Sequence, residues 1–298
     1  MNVLVTGASG FIGRQLVPSL LSSGHRVRAL VRDADRYEPP DGVSTFEGDL
    51  LEGGTFEDAL TDVDVVYYLI HSMGAGSGFA SRDRNAARNL SEAASAAGVS
   101  RVVYLSGLGV DSDALSAHLR SRHEVERVLS RGEFDLTVLR AAIIVGEGSA
   151  SFRLVRQLSG RLPVMVTPRW VSTRVQPIAI VDVIEYLVSV LEIPETAGKT
   201  YEIGGPEVLT YREVLVETGR LLSGRKPIIV PVPFLTPRLS AYWVALVTDV
   251  PTSVAYPLIH GMTTDVVVTD DRIRDVVPIE LTPFETAVRR ALDEEVTR

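Results

Sequence analysis

The sequence contains no cysteine, which excludes disulfide bonds, thiolate metal sites and a cysteine nucleophile. It also lacks any run of about 18 uninterrupted apolar residues, so no segment predicts a membrane-spanning helix. Its opening residues, MNVLVTGASG, do not place a basic segment before a long apolar one and do not resemble a secretory signal. Together these absences favour a cytoplasmic location.

Other kinds of chemistry are missing as well. The five histidines show no metal-binding spacing such as H-E-x-x-H, and no G-x-S-x-G element of a hydrolase is present. With 30 basic and 38 acidic residues, the net charge is −8. The histidine spacing therefore predicts no metal site. Because binding to a phosphate backbone needs a basic surface, the negative net charge predicts no nucleic-acid partner.

What is present is an alternation of short apolar segments and longer amphipathic ones. Over the first two thirds of the chain this pattern is typical of a parallel sheet covered by helices on both faces. Gly24, Gly98 and Gly132 each follow a helical segment, where a left-handed cap favours glycine. The fold class predicted is therefore α/β, a doubly wound parallel Rossmann sheet. The predicted strands are 2–6, 26–31, 43–46, 64–70, 101–106 and 135–140, and the predicted helices are 11–23, 55–60, 79–97 and 114–131.

The alternation breaks after Arg140. Segment 141–178 predicts irregular chain, and it is followed by a helix at 182–192, a strand at 199–203 and a helix at 210–223. We therefore predict two lobes, of which the second would hold the substrate. The nucleotide-binding core would consist of 1–150 completed by about 175–205, and the smaller carboxyl-terminal substrate lobe of 151–174 and 206–298.

Three glycines lie between the first strand and the first helix, in VLVTGASGFIGRQL. Gly7 permits a tight turn, Gly10 lets the backbone approach a pyrophosphate, and Gly13 lets helix and strand pack closely. A purely structural turn would also use glycine, but the strand before it and the helix after it favour a phosphate site at the helix N-terminus. The candidate cofactor-binding residues of this turn are Gly7, Ser9, Gly10, Phe11, Ile12 and Gly13.

The T-G-x-x-G-x-x-G form of the turn resembles that of extended and atypical short-chain dehydrogenase/reductases. Similar segments follow in order, including GDL at 48–50, VVYYLIHS at 65–72, RVVYLSGLG at 101–109 and VLRAAIIVGEG at 138–148. Within that superfamily the chain looks closest to NmrA-like NAD(P)H-binding proteins, a group that includes the nucleotide-binding accessory subunit of respiratory complex I. The resemblance implies an adenine flanked by Asp49 and Leu50. It also implies a ribose side lined by the stretch from Leu69 to Ser72, in which Leu69, Ile70 and His71 are the candidate cofactor-binding residues.

Asp49 has an alternative role, because aspartate is also a common capping residue of turns and helices.

The end of the second strand bears on the choice of nicotinamide cofactor. NAD-preferring sites place an acidic residue there, whereas an arginine suits the 2′-phosphate of NADP. Here Val31 occupies the acidic position and Arg32 follows, and a guanidinium binds phosphate bidentately. NADP(H) is therefore predicted in preference to NAD(H).

Two alternatives to this cofactor assignment stay open. Asp33 would meet the ribose if the turn rotated by one residue, and this would favour NAD(H). Arg32 would be a solvated surface charge if it followed the general tendency of arginine to be exposed.

The resemblance is weakest at the catalytic positions. Enzymes of this superfamily use a tyrosine and a lysine one helical turn apart, with a serine or threonine at the end of the fifth strand. The helix predicted after that strand contains ALSAHLRSRHEVERVL, with neither tyrosine nor lysine. His118 and Arg122 form an i, i+4 pair that would accompany Ser106, and an imidazole transfers protons near neutral pH. These three are the candidate catalytic residues, although a solvated polar helix face explains the pair equally well.

The segment from Ile228 to Met262 is apolar, with Asp249 as its only acidic residue. Thr236 and Pro237 predict the start of a helix over 238–247. Such a segment packs in a core, lines a pocket for an apolar ligand, or docks on a membrane or a partner.

We expect the ligand site at the carboxyl edge of the sheet. Two apolar segments would cover it, 150–172 with Phe152 and Trp170, and 228–262 with Phe234, Tyr242 and Trp243.

Three functions are compatible with these observations. The first is an oxidoreductase that transfers hydride between NADP(H) and an apolar carbonyl or quinone-like compound. The second is a non-catalytic NAD(P)-binding redox sensor, assembly factor or scaffold, which the missing tyrosine and lysine would permit. The third is a nucleotide-sugar epimerase or dehydratase, which normally needs the tyrosine base. A small apolar ligand is the expected partner, and a peripheral membrane or protein partner is left open.

Overall fold

A computed structural model describes residues 1–72, 78–109, 116–232 and 244–296 of the chain. Seven parallel strands form its central sheet, in the order β11-β6-β5-β4-β1-β2-β3. This doubly wound order confirms the predicted fold class. The strands are β1 (Asn2–Thr6), β2 (Arg26–Val31), β3 (Ser44–Glu47), β4 (Val65–Tyr68), β5 (Arg101–Gly107), β6 (Asp135–Ala141) and β11 (Thr200–Ile203).

Helices cover both faces of this sheet, which is why its strands are apolar on both sides. Tyr67 and Tyr68 are neighbours on β4 whose side chains point to opposite faces, and both are fully buried. Tyr67 packs with α1 and α5, whereas Tyr68 packs with α2 and α3. These helices are α1 (Gly13–Ser22), α2 (Phe79–Ala96), α3 (Ala117–Leu129) and α5 (Ile180–Glu192).

A second apolar core lies in the carboxyl-terminal lobe. The prediction of irregular chain over 141–178 was wrong, because a helix begins there at Ala150, after Ser149, whose hydroxyl caps the Phe152 N–H. The strand that follows pairs with a segment more than 60 residues later, a contact that no local pattern reveals. The main elements of this core are α4 (Ala150–Arg161), β8 (Val164–Pro168), α6 (Tyr211–Ser223), β13 (Ile228–Val232), α7 (Thr252–Gly261) and α9 (Phe284–Val296).

Short strand pairs connect the two cores. Parallel pairing joins β7 (Ile144–Val145) to β10 (Ile178–Ala179), and antiparallel pairing joins β9 (Arg174–Val175) to β12 (Leu209–Thr210). The helix α8 (Ile273–Val276) packs against the core of the sheet although it lies late in the chain. Both cores therefore draw on the carboxyl-terminal third of the sequence, and the predicted lobe boundaries stay a prediction.

Two of the three predicted glycine caps adopt the left-handed conformation, Gly24 with φ of 82° and Gly98 with φ of 72°. The prediction for Gly132 was wrong. A Cβ at Gly132 would lie 2.2 Å from the Phe134 ring, so this glycine leaves room for an aromatic side chain.

The predicted helix at 238–247 falls largely on residues 233–243, which lie outside the described part of the chain together with Phe234, Tyr242 and Trp243. Among the helices in the four described ranges, none is long and apolar enough to cross a membrane.

Candidate functional site

A cavity of about 760 Å³ lies at the carboxyl edge of the central sheet. Gly7, Leu69, Ser106 and Ala141 bring the ends of four strands, β1, β4, β5 and β6, to its wall. Parallel strands all end at the same edge. From β1 the chain adds strands on one side, through β2 and β3, and then continues on the other side with β4, so the strand order reverses between β1 and β4. The cavity therefore lies where open α/β sheets bind their ligands.

The glycine-rich turn forms one end of this cavity. Gly7 has φ of 72°, and its carbonyl oxygen accepts a hydrogen bond from the Gly10 N–H with an N–O distance of 2.9 Å. A Cβ at Gly13 would lie 2.4 Å from that same oxygen and 2.6 Å from Ala8 Cα. Because both of those atoms are backbone, only glycine lets α1 begin this close to the turn. The helix N-terminus is thereby exposed to the cavity, as a phosphate site requires.

The structure brings every candidate site residue from the sequence to the wall of this cavity. What each binds or catalyses stays a prediction. The residues are Gly7, Ser9, Gly10, Phe11, Ile12, Gly13, Arg32, Asp49, Leu50, Leu69, Ile70, His71, Ser106, His118 and Arg122.

The two side chains that follow β2 lie in different surroundings. Arg32 is exposed and lines the cavity, whereas Asp33 is not among the described residues that do so. The Asp33 carboxylate instead pairs with Arg36, with an Oδ2–Nε distance of 3.1 Å. The arginine is therefore available to a ligand at this end of the cavity, and the acid is held by another cation.

Asp49 caps a turn and also lies at the cavity wall, and its contact with the adenine stays a prediction. Its carboxylate accepts a hydrogen bond from the Leu51 N–H at 2.9 Å, which caps the turn after β3. The residue also lines the cavity beside the buried Leu50.

The charged side chains around the cavity are mostly cationic. Arg32, Arg82 and Arg122 line it, and Asp49 is the single acidic residue among the described lining residues. Sequence reasoning missed Arg82, which lies near the start of α2. Its position within the first turns of the helix after β4 was the available signal. This balance of charge suits an anionic ligand in a chain whose net charge is −8.

A compact group of polar side chains lies beyond the ends of β4 and β5. The rings of His71 and His118 have centroids 5.6 Å apart. Arg122 donates from Nη1 to the Leu105 carbonyl at 2.9 Å, which fixes the guanidinium beside β5. Ser106 Oγ is buried at the cavity wall beside the Tyr104 side chain. Because a hydroxyl both donates and accepts, a bound ligand would supply a further partner.

The two histidines of this group are uncharged at neutral pH. Burial and the neighbouring Arg122 guanidinium lower the pKa of His118 to about 3, although its ring is only half-buried against the cavity. Desolvation inside the cavity, Arg122 and His118 together lower the pKa of His71 below its ordinary value, although His71 is exposed to the open cavity. Each ring therefore offers both a hydrogen-bond donor and an acceptor, and neither offers a positive charge.

A buried carboxylate positions the loop that carries His71. Asp83 Oδ1 accepts a hydrogen bond from the Ser72 N–H at 2.7 Å, and Asp83 Oδ2 accepts one from Ser121 Oγ at 3.3 Å. Asp83 thus connects the end of β4 to both α2 and α3. It acts on the cavity through these neighbours, since it is not itself one of the described lining residues.

The wall opposite the sheet comes from the carboxyl-terminal lobe and is largely apolar. Both covering segments contribute, but through different residues from those predicted. Phe152 is buried in the core of the lobe and does not line the cavity, and Trp170 lies in the helical turn Arg169–Ser172. The lobe residues that do line it are Gly148, Ser149, Ala150, Ser151, Tyr211, Pro257, Leu258, Gly261, Met262 and Val266.

Known proteins resemble this chain in sequence and in fold. The model of the NAD(P)H-binding family matches residues 7–167, which is more than half of the chain. NADH dehydrogenase [ubiquinone] 1 alpha subcomplex subunit 9 of Arabidopsis thaliana is 28% identical over 93% of this chain and 74% of its own length. The (4-alkanoyl-5-oxo-2,5-dihydrofuran-3-yl)methyl phosphate reductase of Streptomyces griseus is 30% identical, over 74% of each chain.

A solved structure supports the fold. The nucleoside-diphosphate-sugar epimerase of Staphylococcus aureus superposes with a TM-score of 0.78 at 17% identity, covering 97% of this chain and all of its own. At that identity the likeness concerns the fold alone.

The chain belongs to the NAD(P)H-binding family, among the atypical short-chain dehydrogenase/reductases. Its own residues fit the cofactor, because the glycine cradle has no room for a Cβ at Gly13 and the cationic lining suits phosphates. The turn from Gly7 to Gly13 would hold the pyrophosphate, and Leu50 would pack against the adenine.

Proposed function

We propose that the protein is an NADPH-dependent oxidoreductase that reduces a small or medium-sized apolar carbonyl or quinone-like compound. The observation that supports this most directly is the continuity of one cavity. It runs from the phosphate-binding turn at Gly7 to the polar group at Ser106 and His118, and its far wall is the apolar lobe. A reductase needs these three features in this order along its cavity, because hydride passes from the nicotinamide to a substrate held beside it.

The preference for NADP(H) over NAD(H) rests on Arg32. Its guanidinium lines the end of the cavity nearest β2, where the 2′-phosphate of a bound NADP would lie. Asp33, the residue that would favour NAD, is paired with Arg36.

The side chains near β5 fit the reduction of a carbonyl. A bound nicotinamide would supply the hydride, and the substrate oxygen would need a hydrogen-bond donor and then a proton. Neutral His118 and the Ser106 hydroxyl would donate the hydrogen bond, since a neutral imidazole can polarise a carbonyl. The proton itself would come from water, because the folded His118 ring carries no extra proton at neutral pH. Arg122, held by the Leu105 carbonyl, would position the nicotinamide ribose. It cannot act as a base, since guanidinium is not deprotonated in proteins.

The cofactor preference gives the first prediction. Titration calorimetry with NADPH and NADH should show tighter binding of NADPH, and Arg32→Ala should weaken NADPH binding by about tenfold or more, the effect of losing a charge-assisted hydrogen bond of 1.5–3 kcal/mol. NADH affinity should be nearly unchanged, because NADH has no 2′-phosphate.

Arg26→Ala is the matched control, since Arg26 is an exposed arginine at the other end of β2. Equal affinities for the two cofactors in the wild type, or an unchanged preference in Arg32→Ala, would contradict the assignment. Turnover of bound NADPH with a panel of carbonyls and quinones then tests the oxidoreductase activity itself.

A non-catalytic NAD(P)-binding sensor, assembly factor or scaffold is the second candidate. The residues of α3 include neither tyrosine nor lysine, and one relative is a subunit of mitochondrial NADH dehydrogenase. Tight binding of NADPH without turnover of any compound in the panel would favour this function. The cytoplasmic location expected from the sequence belongs to both candidates and would be tested by fractionation of the source cells.

A further inference from the structure

The two strands β8 and β13 form a parallel ribbon on the surface of the carboxyl-terminal lobe. Their register pairs Ile228 with Val164 and Val230 with Val166. Paired residues of a parallel ribbon lie on the same face, so these four branched side chains form one continuous apolar surface. All four are exposed, with Ile228 at 61% and Val164 at 52%. We call Val164, Val166, Ile228 and Val230 the ribbon face.

The alternate residues of the same strands point inward. Met165 is 1% exposed and Ile229 is 5% exposed, and both pack in the core of the lobe. The ribbon is therefore held firmly from beneath while its outer face remains uncovered by the described chain. Such a contiguous apolar surface usually marks an interaction site.

The two segments of sequence that contain β8 and β13 are basic, although ion pairs join Arg220 to Glu217 and Glu285, and Arg161 to Asp249, acids that lie outside these segments. Segments 148–172 and 218–247 together contain eight of the 30 basic residues of the chain and none of its 38 acidic residues. This is the reverse of the overall balance, since the whole chain has a net charge of −8. The basic residues are Arg153, Arg156, Arg161, Arg169, Arg220, Arg225, Lys226 and Arg238.

Three of these cations lie at one end of the ribbon. Arg225 and Lys226 are exposed and lie just before β13, separated from it by Pro227, and Arg161 directly precedes the loop into β8. Because the strands are parallel, their amino ends are adjacent, and the three cations are adjacent with them. Arg161 is paired with Asp249 at 2.8 Å, which leaves the exposed pair Arg225 and Lys226 to give this end its charge.

A fifth apolar side chain lies beside this cationic end. Arg161 Nη1 donates to the Val247 carbonyl at 2.7 Å, and the preceding residue, Leu246, is 85% exposed. The surface thus combines exposed aliphatic side chains with lysine and arginine.

We propose that the ribbon face docks on the surface of a membrane that contains anionic lipids. Its aliphatic side chains would enter the interfacial layer while Arg225 and Lys226 contact the lipid phosphates. A second copy of the chain fits less well, because a symmetric contact through this face would bring like charges together. The four described side chains of the ribbon face are all aliphatic, whereas protein interfaces are enriched in aromatic residues.

Vesicle sedimentation with the full-length protein tests this proposal. The protein should sediment with vesicles of phosphatidylcholine and phosphatidylglycerol at low salt, and much less with phosphatidylcholine alone. Replacing Ile228 and Val230 together by serine should abolish binding, and both sites are exposed enough for the fold to tolerate the change. Lys226→Glu should weaken partitioning by about 25-fold, from about fivefold for each of the two units of charge changed.

The chain offers a matched control, because Lys199 is its only other lysine, is also exposed and lies at the start of β11 on the central sheet. Lys199→Glu should bind vesicles as the wild type does. The proposal is overturned if the protein binds neither kind of vesicle, or if Lys199→Glu and Lys226→Glu lose binding equally. It is also overturned if gel filtration shows a dimer for the wild type and a monomer for the double serine variant. NADPH affinity should be unchanged in all of these variants, so this proposal can fail while the proposed function stands.

Discussion

At the scale of single residues, the ring of His118 shows how the cavity sets the behaviour of a side chain. Its pKa is lowered to about 3 by burial and by Arg122, whereas an unfolded histidine titrates near 6.5. Below pH 6.5 His118 therefore binds a proton in the unfolded chain, whereas in the folded protein it stays neutral. Stability contributed at this site is lost as pH falls from about 6.5 towards 3.

This difference gives a prediction for His118→Gln. Between pH 7 and pH 5 the wild type should lose up to about 2 kcal/mol more free energy of unfolding than the variant, because only the wild type has this imidazole. Urea unfolding at a series of pH values measures it.

Above about pH 7.5 the ring is neutral in both the folded and the unfolded states. There the difference between the two proteins should be constant, which provides an internal control. Parallel pH dependence of the two proteins down to pH 5 would show that the folded ring titrates normally.

At the scale of secondary-structure elements, the buried Asp83 joins the loop after β4 to α2 and α3 through Ser72 and Ser121. Asp83→Ala leaves the Ser72 N–H without its partner, so we expect a loss of about 1–3 kcal/mol in stability. The loop carries His71 into the cavity, so NADPH affinity should fall as well. Denaturant unfolding and cofactor titration measure the two effects.

Asp83→Asn separates the geometry of this residue from its charge. The amide oxygen still accepts from Ser72, and the amide nitrogen can donate to Ser121 Oγ, so both properties should be largely restored. If Asp83→Ala and Asp83→Asn were equally damaging, the charge rather than the two hydrogen bonds would be the cause. If neither had an effect, the connection through Asp83 would not position the loop.

At the scale of the whole molecule, one cavity is shared by elements that are distant in sequence. Binding of NADPH should therefore slow amide hydrogen exchange in the first turn of α1 and also in α7, whose Pro257, Leu258 and Gly261 line the far wall. Ligand binding to the folded state alone stabilises it by about 2.7 kcal/mol at a concentration of 100 times Kd. Hydrogen exchange measured by mass spectrometry gives the added protection separately for each segment.

The strand β13 serves as the reference segment, because it does not line the cavity. It should show less added protection than α7. Protection confined to α1, with α7 unchanged, would mean that the lobe does not close over the nicotinamide, and the apolar-substrate proposal would then lose its main support.

Much of the nucleotide-binding layer could be predicted because its signals are local. The central strands of the sheet, such as β1 and β4, are short apolar runs. The turn at Gly7, Gly10 and Gly13 is a contiguous motif whose chemistry depends on close backbone approach. Since parallel strands end at one edge, even the grouping of Ser106 with His118 and Arg122 near the glycines followed from strand order.

The lobe and the state of the site depended on contacts between distant residues. The pairing of β8 with β13 joins segments more than 60 residues apart, so the irregular appearance of 141–178 concealed a helix and a strand. Likewise, no pattern in the sequence indicates that burial beside Arg122 keeps His118 neutral. The sequence by itself determined the sheet and the phosphate-binding turn, because local periodicity and backbone sterics act within a few residues. Only the tertiary structure decided the lobe, the cavity wall and the protonation of the site, since burial and charge pairing depend on which distant residues meet.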